Sequence, residues 1–135
     1  MPCMIKPFFA VSLFLLLVIN SGGCRAIPDI PRVEKDGRLC GVVRGLFRDR
    51  WWNYYERGLS FSDCQLWEEA DADFRKALTK EDGDYRRVRT YGRHLIDYFP
   101  RRELGVSLFH RGRYQEAIAE LKFSLSTEKS AKAEY

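Results

Sequence analysis

The chain has 135 residues, room for one small domain, and its 45% hydrophobic and 14% aromatic content belongs to a folded rather than a disordered protein. A formal charge of +4 is too small an excess to point to nucleic acid, whose binders concentrate a stronger basic surplus on one face.

The N-terminal 23 residues carry one cation, Lys6, then the apolar run PFFAVSLFLLLVI and the small residues NSGGC. This 13-residue run is shorter than the roughly 20 residues of a membrane-crossing helix, so it predicts a secretory signal peptide over 1–23. The competing reading, a buried core helix, suits poorly a run that is apolar all round and ends in Asn, Ser and Gly. The stretch Ser21–Cys24, SGGC, resembles a bacterial lipoprotein processing site, although Ser21 stands where that pattern prefers a larger aliphatic residue. The resemblance implies cleavage before Cys24, lipidation of Cys24 and membrane attachment through a lipid anchor. With Arg25 rather than an acid next in line, it implies an exported protein of the cell envelope, at the outer membrane facing the periplasm. Ordinary cleavage after Ala26 is the alternative.

Residues 24–48 read as a linker and packing segment. AIPDIPRVEKDG, with two Pro and a Gly, suits a tether, and LCGVVRGLF, interrupted by Gly41 and Gly45, suits an extended segment lying against the domain. Cys40 and Cys64 share no short repeated spacing and are expected to be free thiols, a disulfide outside the cytoplasm being the alternative. His94 and His110 lie in no metal-ligand pattern, so neither metal nor cofactor is expected.

Helical periodicity then takes over. Trp51, Tyr54, Tyr55, Gly58, Leu59 and Phe61 predict a helix over about 48–62. Trp67, Ala70, Phe74, Ala77 and Leu78 predict a second from near Leu66, with Glu68 and Glu69 in its first turn and Arg75 and Lys76 in its last, as the helix dipole favours. Tyr85, Val88, Leu95 and Ile96 suit an inserted helix over about 84–97. Pro100 opens the next helix, and Ser130–Tyr135 reads as the start of a further one.

From Gly58, the residues Trp67, Ala70, Phe74 and Ala77 stand at the same offsets as Tyr114, Ala117, Leu121 and Ser124 from Gly105. A helix hairpin explains this order: glycine lets the paired helix approach, alanine fits beneath, and bulky residues fill the groove. LGVSLFHRGRYQEAIAELKFSL thereby resembles the tetratricopeptide repeat. The upstream copy is weaker, with Arg57 before its glycine, Gln65 for the turn glycine and Asp82 where proline commonly stands. The two glycines are 47 residues apart against about 34 in the family, which is why an insertion is expected. The resemblance implies an all-α fold, a short α-solenoid of hairpins over about 49–80 and 100–127 within a domain spanning 49–129.

It also implies function: first helices of such units line a groove that holds a peptide or protein. The corresponding residues are Trp52, Tyr55, Leu59 and Asp63 in one copy and Arg102, Val106, Phe109 and His110 in the other. With so few repeats, each is equally explained by packing, and self-association is a further way to complete the core. The Lys and Asn clamp with which some relatives hold a C-terminal carboxylate is missing, Tyr55 and Leu59 standing there. Arg86, Arg87, Arg89 and Arg93 form a basic patch able to meet an acidic surface or, equally, to be a solvated face. No nucleophile–base motif is present, so a non-catalytic scaffold is expected. RDRWWNYYERG and YFPRRELG are similar to N-terminal repeat regions of larger envelope proteins, some with a caspase-like peptidase downstream, which implies as an alternative a recruiting module or shortened form of such a protein.

Overall fold

The computed structural model describes residues 32–135. The signal peptide, Cys24 and the first half of the tether lie outside the described residues.

The described chain opens with a two-stranded antiparallel hairpin, β1 (Val33–Lys35) and β2 (Arg38–Cys40), in which Lys35 faces Arg38. Its two-residue turn is Asp36-Gly37, both with positive φ (53° and 72°). That conformation is what a tight hairpin turn demands and what an Asp-Gly pair supplies at low steric cost. Part of the segment expected to be a tether is therefore sheet.

Two helix pairs form the body of the fold. The first is α1 (Trp51–Asp63) with α2 (Trp67–Leu78), the second α3 (Pro100–His110) with α4 (Tyr114–Thr127), and a short α5 (Ala131–Glu134) follows. Within each pair a glycine sits under a large side chain. A Cβ on Gly58 would lie 2.7 Å from the Phe74 ring, and one on Gly105 would lie 2.6 Å from Leu121. Ala70 and Ala117 are buried beside them. Between the pairs, Ser107 donates to the Trp67 carbonyl at 2.6 Å. The buried Asp71 carboxylate gathers Arg75, Arg111 and Arg113, tying α2 to the α3–α4 turn.

The expected inserted helix is absent. Tyr85–Arg89 and Leu95–Tyr98 are strands β3 and β4, paired antiparallel with Val88 opposite Ile96 and a bulge between Tyr85 and Val88. The β-branched and aromatic residues of this stretch fit a half-buried pleated surface, and Gly92 with φ 53° turns the chain between the strands. The fold is thus mostly helical with two small antiparallel sheets, not all-α.

A second correction concerns the cysteines. Cys40 ends β2, Cys64 directly follows α1, and the two form a disulfide. The first hairpin is what brings them together. Closing a loop of this length, a separation of 24 residues, contributes about 3–4 kcal/mol by restricting the unfolded chain.

The core lies between the helices and the second hairpin: Tyr55, Phe74, Tyr98, Leu104 and Leu108 are buried together. Each such large apolar side chain contributes about 1.5–3 kcal/mol on burial. The start of α3 is capped from a distance. Pro100 has no N–H, and the next two N–H groups, of Arg101 and Arg102, donate to the buried Asp84 carboxylate at 2.9 and 3.2 Å, satisfying donors a helix start leaves open.

Candidate functional site

After Cys40 the chain turns at Gly41, where a Cβ would strike the Phe61 ring. Residues 42–50 then run back along α1 as a strap. Val42 N–H donates to Ser60 Oγ at 3.1 Å and Arg44 N–H to Glu56 Oε2 at 3.3 Å. Arg48 and Arg50 N–H donate to Asn53 Oδ1 at 2.8 and 3.3 Å, while Asn53 Nδ2 donates to the Leu46 carbonyl. Ser60, Glu56 and Asn53 are spaced by about a helical turn, so one face of α1 receives the strap at successive turns.

The second hairpin stands on the other side. Between strap and hairpin lies a cleft whose floor is α1. One cavity, of about 410 Å³, is lined by Val42, Val43, Leu59 and Ile96, with Tyr55 at its base. Its polar rim includes Glu56, Asp63 and Asp97. The adjoining cavity, of about 400 Å³, is lined by Trp52, Tyr91 and His94 together with Arg44 and Arg48. Arg44 and Glu56 border both. Trp52 and Tyr91 face each other at 6.5 Å between ring centroids, and Tyr91 stacks on His94 at 5.1 Å.

Of the residues expected in a groove, Leu59 and Asp63 line the first cavity and Trp52 the second. Tyr55 borders the first but belongs chiefly to the core: it is 4% exposed, its ring meets Phe74 and Tyr98, and its hydroxyl accepts the Phe99 N–H at 3.2 Å. Burial raises its phenol pKa, so it stays protonated at any physiological pH.

The four residues of α3 do not share the cleft. Arg102 lies over the Phe99 ring at 4.1 Å and pairs with Glu103. His110 stacks on Trp67 at 4.0 Å, Phe109 is exposed beside Tyr114, and Val106 is half-buried. On the cleft side of α1 the second hairpin supplies the wall, with Tyr98 against Trp51 and Tyr55 and Tyr91 opposite Trp52. The basic patch lies on that hairpin: Arg86, Arg87, Arg89 and Arg93 are exposed, and Arg86 pairs with Glu128 at 2.8 Å.

Sequence reasoning missed the strap residues Val42, Val43 and Arg44 and the hairpin residues Tyr91, Ile96 and Asp97. Two signals were available for the hairpins next to them: the Asp36-Gly37 turn before the strap, and the Val, Thr, Tyr and Ile enrichment around Gly92.

No protein-family model, curated protein or solved structure matches the chain. Among the described residues no group of three or more His, Cys, Asp or Glu converges as a metal site, and no helix is long and apolar enough to cross a membrane. The cleft pairs apolar surface with a few fixed charges, which suits holding a ligand.

Proposed function

We propose that this protein is a non-catalytic binding module that holds an extended segment of a protein partner in the cleft along α1. The observation that carries the reading is the cleft itself: a floor of Trp52, Tyr55 and Leu59 on α1 with Glu56, Ser60 and Asp63 among them, walled by a strap bonded to that helix and by the second hairpin. A preformed site of this kind spends little binding energy on ordering itself. The two helix pairs are read as tetratricopeptide-like hairpins, supported by the matching seats of Gly58 under Phe74 and Gly105 under Leu121. The lipoprotein-like SGGC motif supports export and attachment to the cell envelope through Cys24, and the disulfide accords with an oxidising compartment.

Affinity capture from envelope extract tests the reading. Wild-type protein retains a partner that Val42→Trp, which fills the first cavity from an exposed position, releases; retention by the folded variant would place the partner elsewhere. The exposed arginines of the second hairpin support a second reading, contact with an acidic surface. Binding there would weaken steeply with salt and be lost on Arg89→Ala/Arg93→Ala, with Val42→Trp unaffected.

A further inference from the structure

Resting on the cleft reading, we infer that the occupant is an extended peptide of split charge: a Lys or Arg beside an aliphatic residue at one end, and an Asp, Glu or terminal carboxylate a few residues away at the other. The two cavities differ in charge as well as in shape. The aliphatic one is lined by the acids Asp63 and Asp97, the aromatic one by the base Arg48, and Glu56 and Arg44 line both.

The ion pairs among the described residues engage Asp49, Asp71, Asp73, Asp82, Glu103 and other acids, but not one uses Glu56, Asp63, Asp97, Arg44 or Arg48. Glu56 and Asp97 each accept a backbone N–H, from Arg44 and Arg87, both at 3.3 Å, which orients the carboxylate without pairing it with a cation. Asp63, Asp97, Arg44 and Arg48 are exposed, so an oppositely charged group of a ligand can reach them. A cation would meet the acids at the Leu59–Ile96 end, and an anion the arginine at the Trp52 end, so that the wrong order of charges is repelled at both.

The length of the cleft sets the spacing. Trp52 and Asp63 are separated by eleven helical residues, about 16 Å at 1.5 Å per residue. An extended chain covers this in about five residues.

Selection from a phage-displayed library of random heptapeptides tests the inference on the wild-type protein, on Val42→Trp, and on the Asp63→Lys/Asp97→Lys double variant. Circular dichroism checks that each variant is folded. Peptides lost on Val42→Trp are expected to carry a basic residue next to an aliphatic one, with an acidic group about three to five positions away. The charge-reversed variant is expected to drop the basic residue and keep the acidic one, and removing a single charge from a selected peptide should weaken binding about two- to fivefold. Peptides that need an open Val42 cavity but show no such pairing overturn the charge inference and leave the cleft reading standing. If no peptide distinguishes wild type from Val42→Trp, both fall.

Discussion

Gly58 and Gly105 show how a single hydrogen atom sets the distance between two helices. Replacing Gly58 with Ala gains about 1 kcal/mol of helix propensity but drives a methyl into the Phe74 ring, which is fully buried and closed in on all sides. Overpacking of about 3 kcal/mol leaves a net loss of roughly 2 kcal/mol, measurable as a lower denaturant midpoint. Gly105→Ala should lose less, because Leu121 is only partly buried and can shift. Asp84 and Asp73 offer a test by pH. Burial raises both carboxyl pKa values above the ordinary 3.8, outweighing the N–H groups that Asp84 accepts and the Arg57 guanidinium beside Asp73. A carboxyl whose pKa is raised on folding contributes stability while protonated and loses it as pH rises from about 4 through the raised value. The stability of the wild type relative to Asp84→Asn should therefore fall as pH is raised across that window. A difference that grows in favour of the wild type would mean that the helix-capping bonds dominate the burial cost.

At the level of elements, the helices were legible in the sequence and the sheets were not, for a physical reason. A helix repeats its buried face over three or more turns, so Trp67, Ala70, Phe74 and Ala77 declare it. The second hairpin has only Tyr85, Val88, Leu95 and Ile96 to show, and the bulge near Arg87, whose φ is 58°, shifts the alternation out of phase. Those four residues then fit a helical period as well as a strand's. The disulfide was hidden for a related reason: nothing in the spacing of Cys40 and Cys64 shows that the β1–β2 hairpin folds one onto the other. Of the residues that line the cleft, Trp52, Leu59 and Asp63 were legible because they lie on the periodic α1. The walls were not, because a strap held by Ser60, Glu56 and Asn53 has no period to read. This bond anchors that strap at its root. Reduction, or Cys40→Ser/Cys64→Ser, should lower stability by about 3–4 kcal/mol and weaken peptide binding more than Gly105→Ala does, because it frees the wall formed by Val42 and Val43. Equal loss in both variants, assayed where each is folded, would count against a strap that shapes the site.

Two apolar surfaces among the described residues compete as sites for a partner. One is the cleft, partly open to solvent and charged at its rim. The other is the outer side of α4, where Tyr114 and Ile118 are about half exposed. A short helical stack leaves such an end face, and self-association there is the main rival site for a partner. The most direct discrimination is by methyl NMR during titration with a peptide selected on the wild-type protein. Binding in the cleft should shift the methyl signals of Val42, Leu59 and Ile96 saturably and leave Ile118 in place. Saturable shifts at Ile118, with the three cleft residues unmoved, would contradict the assignment of the cleft as the binding site.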